Sequence, residues 1–243
     1  MFGDLIEAGW RGSMLGYGEA RVGDGHDFWP GESRALARAT PARQAEFAAG
    51  RAAARQAFRA IGMVPYAIPM GADRAPVWPN GIVGSITHHE GRCMAVIARR
   101  SVLAGLGLDL AALDPLAEDL WPAVLTEVDR NWLSMQEKSL RGGYAQVIFS
   151  AKEATYKALY PQSRRVVGFD AMDIVPDLAR NRFTAVLRIP FGPYPAGSSL
   201  LGQVFCRDGL ICTLMALPIS GECGGIVAKN AELEMQCFQP ETV

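Results

Sequence analysis

The segment Phe149-Ser150-Ala151-Lys152-Glu153-Ala154-Thr155-Tyr156-Lys157 carries an acid and an amine four residues apart in a stretch typical of a helix. Residues spaced i and i+4 lie on the same side of a helix, so Glu153 and Lys157 project together. Ser150 lies three residues before Glu153, which is the pattern of a capping box at the start of a helix. The sequence therefore predicts a helix over residues 150–160, ended by Pro161.

The Glu153–Lys157 pair has two interpretations. An exposed ion pair at this spacing stabilises a helix by only about 0.3–0.5 kcal/mol. Alternatively, the pair could act with Asp109, a single carboxylate at the end of the predicted strand Gly107-Leu108-Asp109-Leu110, to hold a magnesium ion and a polyphosphate. Mg²⁺ prefers a few carboxylates and completes its octahedron with water and phosphate oxygens, while a lysine supplies charge to the phosphates. The helix alone does not decide between these interpretations.

The composition narrows the function classes. The 243 residues suit one large or two small domains, and a net charge of −1 gives no overall attraction to nucleic acid or an anionic membrane. The arginines of the helix near residue 55 would permit a nucleic-acid-binding module, but aromatic residues do not interleave with the basic ones. The scattered cysteines form no metal-ligand spacing, and no signal peptide or membrane-length apolar run is evident. A cytoplasmic protein that binds neither nucleic acid nor membrane is expected.

The order of predicted elements indicates an α+β fold. Each half offers a helix followed by strands that end in a hairpin, with Pro41–Ala60 and Ser150–Tyr160 as the main helices. A further helix is predicted over Leu120–Leu140. We expect two similar α+β subdomains related by a pseudo-twofold axis, with a cleft between them. The predicted ranges are 1–108, 109–220 and a flexible tail at 221–243.

Three segments carry polar residues that an ordinary core would not need. They are Trp78-Pro79-Asn80-Gly81-Ile82-Val83-Gly84-Ser85-Ile86-Thr87-His88, then Gly107-Leu108-Asp109-Leu110-Ala111, then Phe149 to Pro161. In this order they resemble the 4′-phosphopantetheinyl transferases of the surfactin and enterobactin type, over roughly residues 45–215. The corresponding family patterns are Trp-Pro-x-Gly-x-x-Gly-Ser-x-[Ser/Thr]-His, Gly-[Ile/Val]-Asp-x-Glu and [Phe/Trp]-[Ser/Cys]-x-Lys-Glu-x-x-x-Lys.

The resemblance implies a reaction. A serine of an apo acyl or peptidyl carrier protein attacks the β-phosphate of coenzyme A, phosphopantetheine is transferred, and 3′,5′-adenosine bisphosphate leaves. By the same resemblance, Arg51, Arg55 and Arg74 are the cationic contacts to the phosphates of coenzyme A, a role suited to the planar guanidinium. Thr87 and His88 correspond to the pair that grips the 3′-phosphate and the diphosphate.

The resemblance also assigns the reacting centre. Asp109 and Glu153 are the implied ligands of Mg²⁺, with Mn²⁺ as a possible substitute. Lys152 and Lys157 are implied to steady the diphosphate as charge builds on the leaving group. A serine hydroxyl is a weak nucleophile that needs a base, and Glu153 is the best-placed candidate.

One position departs from the family pattern. The family usually has Glu two residues after the strand Asp, and here that residue is Ala111, which cannot coordinate a metal. Water can replace a side chain around Mg²⁺, so the site could survive with a lower metal affinity. The alternative is a catalytically weak homologue that binds coenzyme A or a carrier protein. The resemblance also implies that a monomer suffices, because two fused halves complete the protein. The sequence leaves the pathway and the carrier open.

Overall fold

The computed structural model describes residues 2–9 and 14–219, and the predicted tail at 221–243 lies outside them. The chain has the predicted α+β architecture. The described α-helices are α1 (Phe2–Gly9), α2 (Pro41–Ala60), α3 (Trp121–Val124), α4 (Glu127–Ser134) and α5 (Arg141–Ser163). The described strands are β1 (Leu15–Arg21), β2 (Ile82–His89), β3 (Arg92–Arg99), β4 (Leu103–Ala112), β5 (Met172–Asp177), β6 (Arg182–Leu187), β7 (Ser199–Arg207) and β8 (Leu210–Pro218).

The strands form two antiparallel sheets. The first has the order β1-β3-β2 and the second has the order β4-β8-β7-β6-β5. In each sheet the first strand pairs with the last one, and a long helix lies between them in the chain, α2 in the first half and α5 in the second. The two halves thus share a strand–helix–meander order, whereas a pseudo-twofold axis relating them stays a prediction.

The alternation of side chains along the strands builds a layered core. In β3, Cys93, Ala95 and Ile97 pack with α2, whereas Met94 and Val96 pack with the second sheet. In the second sheet, β8 likewise directs alternate residues to the first sheet and to α5. The layers therefore follow the order α2, first sheet, second sheet, α5, and each sheet buries both of its faces.

Glycines allow each long helix to approach the first strand of its half. A Cβ added at Gly107 would strike the carbonyl oxygen of Ala154, and one at Gly105 would strike that of Ala158. The same relation holds in the first half, where Gly16 and Gly18 of β1 lie against Ala57 and Ala53 of α2. Alanine at i and i+4 of the helix and glycine at i and i+2 of the strand thus bring backbone against backbone in both halves.

Two hydroxyls join the sheets. Ser85 Oγ accepts a hydrogen bond from Leu108 N at 3.0 Å, and Thr87 Oγ1 accepts one from Leu110 N at 3.2 Å. Strands β2 and β4 therefore run side by side in the same direction, connected by side chains rather than by backbone carbonyls. This contact brings the end of β2 next to Asp109 on β4.

The structure corrects several predicted boundaries. Helix α5 begins at Arg141, so Ser150 is a fully buried mid-helix residue and not a cap. The helix continues past Pro161 to Ser163 and ends where Arg164 adopts a left-handed φ of 53°. The predicted helix over 120–140 is interrupted, because the chain is extended at Leu125. The boundary predicted after residue 108 falls inside β4, and the change of sheet occurs between β3 and β4.

Candidate active site

Asp109 lies at the centre of the site, on the face of β4 that packs against α5. Its Oδ1 accepts a hydrogen bond from Lys157 Nζ at 2.6 Å, and its Oδ2 accepts one from Ser150 Oγ at 2.8 Å. Lys157 Nζ also donates to the Leu108 carbonyl oxygen at 3.2 Å. Both Ser150 and Lys157 are on α5, so the close approach of helix and strand fixes this carboxylate from one side.

Ser150 is itself held by β8. The Thr213 hydroxyl donates to the Ser150 carbonyl oxygen at 2.9 Å, and the two side-chain oxygens also lie 2.9 Å apart. All three side chains are buried, with Asp109 only 8% exposed. The hydroxyl pair thus positions Asp109 with one oxygen directed at the lysine.

Glu153 shares a pocket with Asp109. This carboxylate pocket is bordered by both acids, and its lining also includes His89, Ala111, Asp114, Gln146 and Phe149. Burial is the main cause that raises the pKa of Glu153 above its ordinary value; Lys157 lowers it, and the negative charge of Asp109 raises it. The two carboxylates therefore lie close enough to feel each other's charge.

A second cavity, of about 340 Å³, lies on the other side of Asp109. We call it the arginine pocket. Its polar walls come from α2, from the loop before β2 and from the end of β2. They are formed by Arg43, Glu46, Arg51, Arg74, Thr87 and His88, together with Asp109 and Lys157. Glu46 is paired with Arg43 at 3.0 Å.

The cations of the arginine pocket are fixed in different ways. Arg51 lies over the Phe47 ring, 3.6 Å from its centroid, and its Nε donates to the Ile68 carbonyl oxygen at 2.7 Å. Burial lowers the pKa of Arg51 to about 10, so it remains charged at neutral pH. His88 Nε2 lies 3.1 Å from a guanidinium nitrogen of Arg43, and burial lowers the pKa of His88. A neutral imidazole that accepts from Arg43 fits both facts.

A third cavity, of about 470 Å³, adjoins the arginine pocket through Arg74 and Lys157. This loop pocket is lined by residues 73–82 of the first half and by Tyr156 and Tyr160 of α5. Asp73 closes one side, because its Oδ2 accepts hydrogen bonds from Tyr160 at 2.9 Å and from Arg164 at 2.7 Å. Both halves line this cavity and the arginine pocket, as expected for a cleft between them.

Most of the predicted site residues meet in this region. Thr87, Asp109 and Lys157 border the arginine pocket, and Glu153 faces the neighbouring carboxylate pocket. The hydroxyl of Thr87 has a second use, since it accepts the Leu110 amide hydrogen. Its own hydrogen remains available for an acceptor in the pocket.

The structure contradicts the role expected of Lys152. The family resemblance implied that it steadies the diphosphate together with Lys157, but its Nζ lies 2.6 Å from Asp129 Oδ2, and both side chains are completely buried. The ammonium also donates to the carbonyl oxygens of Val124 and Phe169, each at 2.9 Å. All three donors are therefore used in the core beneath α5, and Lys152 does not face the cleft.

The structure also contradicts the phosphate contact expected of Arg55. Its guanidinium contacts both carboxylate oxygens of buried Glu32 at 3.2 Å and donates to the Asp27 carbonyl oxygen at 3.0 Å. It lies outside the three pockets described above, one turn along α2 from Arg51. The residue fastens the segment before α2 and is not placed to meet a ligand in the arginine pocket.

Sequence reasoning missed two contributors. Arg43 on the first turn of α2 lines the arginine pocket, and its membership of the arginine-rich stretch was the only signal. Ser150 was interpreted as a cap, yet it orients Asp109. Its place directly before the Lys152-Glu153 pair offered no indication of that contact.

Asp109 and Glu153 are the candidate ligands for a divalent ion. Within residues 2–9 and 14–219, no group of three or more His, Cys, Asp or Glu side chains is arranged to hold a metal. Asp109, which is buried, and Glu153, which is partly buried, nevertheless provide two hard oxygen donors on one pocket, and Ala111 provides none. Asp114 lines the same pocket but is exposed. Two carboxylates with room for water fit Mg²⁺, which retains several waters in protein sites.

Comparison of the sequence with known proteins identifies the family of the chain. Residues 31–98 match the 4′-phosphopantetheinyl transferase N-terminal domain, and residues 105–203 match the 4′-phosphopantetheinyl transferase superfamily. The 4′-phosphopantetheinyl transferase Svp of Streptomyces mobaraensis is 35% identical over 193 residues, which cover 78% of each chain. The 4′-phosphopantetheinyl transferase Npt of Nocardia iowensis is 32% identical over 197 residues, 77% of this chain and 88% of that protein.

A solved structure gives a weaker match. The holo-[acyl-carrier-protein] synthase of Thermotoga maritima has a TM-score of 0.40 and 17% identity, over 48% of this chain and 64% of that one. This likeness is too low to support a conclusion by itself.

The chain belongs to the 4′-phosphopantetheinyl transferase superfamily. The predicted family and enzyme class are thereby confirmed, and with them the transfer of phosphopantetheine from coenzyme A to a carrier protein. The alternative of a homologue that binds without efficient transfer, which rested on Ala111, is not favoured, because the matched relatives are named as transferases. Among the described helices, none is long and apolar enough to cross a bilayer.

Proposed function

We propose that the three pockets together form a site for Mg²⁺-dependent transfer of 4′-phosphopantetheine from coenzyme A to a serine of an apo acyl or peptidyl carrier protein. The observation that carries this proposal is the 2.6 Å contact between Lys157 and Asp109. Lys157 borders the loop and arginine pockets, and Asp109 borders the arginine and carboxylate pockets. An amine suited to a phosphate thus meets a carboxylate suited to a metal where the cavities join.

The phosphates of coenzyme A are assigned to the arginine pocket. Arg43, Arg51 and Arg74 concentrate positive charge there, and Thr87 and His88 add hydrogen-bonding groups. Arginine suits this task because its planar donors match phosphate oxygens in pairs. Packing of Arg51 on Phe47 holds that guanidinium in place before the ligand arrives.

The transfer step needs a base and a stabilised leaving group. The carrier serine Oγ forms a bond to the β-phosphorus, its proton passes to Glu153, and the bond from that phosphorus to the bridging oxygen breaks. 3′,5′-Adenosine bisphosphate then leaves with the electron pair of that bond. Glu153 is suited to accept the proton because burial raises its pKa. Lys157 is suited to stabilise the negative charge that develops on the departing oxygen.

Asp109 and Glu153 are the residues that would hold the ion. When bound, Mg²⁺ neutralises charge on the diphosphate and orients it, which is the main way phosphoryl transfer is catalysed. Ser150 and Thr213 serve this arrangement because they orient Asp109 from the buried side. Mn²⁺ also takes oxygen ligands and is the expected substitute.

The proposed oligomeric state follows from the cleft, which both halves of a single chain form. A monomer suffices for the reaction because both halves of the site come from the same chain. We propose a cytoplasmic location, with coenzyme A and an apo carrier protein as partners and with neither nucleic acid nor membrane among them.

The test combines the protein with coenzyme A, an apo carrier protein and MgCl₂, and follows the carrier by intact-mass spectrometry. The expected result is a gain of one phosphopantetheine group that is lost on chelation of the metal. Glu153→Gln should abolish the gain, while Glu137→Gln, at an exposed acid away from the pockets, should not. A carrier that stays apo under all metal conditions, or full activity of Glu153→Gln, would overturn the proposal.

A further inference from the structure

The packing of β4 against α5 follows a regular register. Gly105 lies against Ala158, Gly107 against Ala154, and Asp109 against Ser150. Each step of two strand residues, about 6.6 Å, matches a step of four helix residues, about 6 Å.

The next step pairs Ala111 with Gln146. Both residues line the carboxylate pocket, together with Asp109 and Glu153. Gln146 precedes Glu153 by seven residues, which places both on the same side of the helix. The glutamine therefore faces the position from which the family's usual carboxylate is missing.

The amide of Gln146 is free to act there. Among residues 2–9 and 14–219, its side chain has no hydrogen-bond partner, although the residue is partly buried. Lys157 and Ser150, the polar groups that contact Asp109, are engaged because both bind its carboxylate. His89 and the exposed Asp114 line the same pocket, but neither lies on α5 opposite Ala111. The amide carries an oxygen acceptor without adding charge.

We propose that Gln146 replaces the missing carboxylate as the third protein group around the divalent ion, holding one of its water ligands through the amide oxygen. This inference rests on the proposed function, in which Asp109 and Glu153 hold the ion. Mg²⁺ keeps several waters, and groups that fix a metal's outer shell commonly change its affinity 10- to 100-fold. A neutral amide leaves the protein donors with two negative charges instead of three.

The test measures metal binding directly. Mn²⁺ is titrated into the protein saturated with coenzyme A, and free Mn²⁺ is followed by electron paramagnetic resonance. Gln146→Met, which keeps the length of the side chain and removes the amide, should weaken Mn²⁺ binding by about 10-fold or more. Gln162→Met is the matched control, a glutamine near the other end of α5 and outside the three pockets, and should bind Mn²⁺ as the wild type does.

A second experiment makes the Gln146→Met substitution in an Ala111→Glu protein, to test whether a carboxylate at position 111 takes over the role of Gln146. Ala111→Glu should tighten Mn²⁺ binding and should reduce the effect of adding Gln146→Met, because a carboxylate then supplies the third group. Unchanged Mn²⁺ binding in Gln146→Met would overturn the inference, as would an equal loss in both backgrounds. Asp109→Asn separates this failure from that of the proposed function: Mn²⁺ binding that survives Asp109→Asn, or that is absent in the wild type, would refute the metal assignment itself.

Discussion

Lys152 Nζ lies 2.6 Å from Asp129 Oδ2 in a position that no solvent reaches, while the next residue, Glu153, faces an open pocket. Asp129 is also the N3 residue of the capping box of α4 and accepts the amide hydrogen of Ile174. One carboxylate therefore connects α4, β5 and α5. The contact fixes the rotation of α5 and so determines which of two consecutive residues enters the site.

The first prediction concerns this ion pair. Lys152→Met should lower the free energy of unfolding by about 3–5 kcal/mol, because Asp129 is left as a buried charge without its partner. Urea denaturation measures the change, and Lys138→Met at an exposed site is the control. The folded variant should bind coenzyme A as the wild type does. A variant of normal stability with weak coenzyme A binding would instead place this ammonium on the phosphates.

The second prediction concerns the protonation of His88. Burial lowers its pKa in the free protein; Arg43 and Lys157 lower it further, and Glu46 and Asp109 oppose them. Phosphates bound nearby add negative charge and raise that pKa, so binding should take up protons. Coenzyme A affinity should therefore rise as pH falls from the pKa of the complex to that of the free protein.

Titration calorimetry in buffers of different ionisation enthalpy measures this uptake. His88→Gln should remove the part due to the imidazole, leaving only the protons exchanged by coenzyme A and by the other ionisable groups of the pocket. His26→Gln, at a histidine outside the three pockets, is the control. Identical proton uptake in the wild type and in His88→Gln would contradict the assignment.

The third prediction concerns the close contact between β4 and α5. Gly107→Ala places a Cβ against the backbone of Ala154, which has no flexible side chain to move aside. The helix must shift, at a cost of about 1–3 kcal/mol in the free energy of unfolding. Gly50→Ala should be neutral or stabilising, because its Cβ would meet only a methyl group of Ile86 and alanine favours helix. Thermal unfolding compares the two variants, and equal effects would show that β4 and α5 tolerate a wider separation.

The fourth prediction concerns Asp73. Asp73→Ala removes the contacts to Tyr160 and Arg164, so amide hydrogen exchange in residues 71–75 should accelerate and coenzyme A should bind more weakly through the displaced Arg74. The melting temperature should hardly change, because exposed pairs contribute little to global stability. Asp177→Ala, which removes the exposed pair with Arg180, is the matched control. Unchanged exchange in the loop would contradict the prediction.

Elements with local signals could be predicted from the sequence. Helix α2 begins at Pro41 and ends at Ala60 as expected, because Thr40 caps it and proline suits its first position. Helix α5 was predicted to begin nine residues too late. The Gly142-Gly143 pair has low helix propensity, yet Gly143 is buried and Gly142 lies against Pro115, so tertiary packing supports helix there.

The division of the charged residues between core and site could not be predicted. Arg51 and Arg55 are one helical turn apart, and only the distant Glu32 makes the second a structural residue. Lys152 and Glu153 are adjacent, and only Asp129, in a segment predicted as continuous helix, draws the lysine inward. In both cases a buried acid far along the chain determines whether the basic residue lies in the core or in the site. The spacing of residues within the motif does not reveal that partner.

The hydroxyls of Ser85 and Thr87 also limit aggregation, because they occupy amides at the β4 edge of the second sheet. A strand with unpaired amides invites strands of other proteins to add to it, which begins aggregation. By capping the amides of Leu108 and Leu110, the two hydroxyls protect the margin of the five-stranded sheet against such recruitment without fusing it to its neighbour.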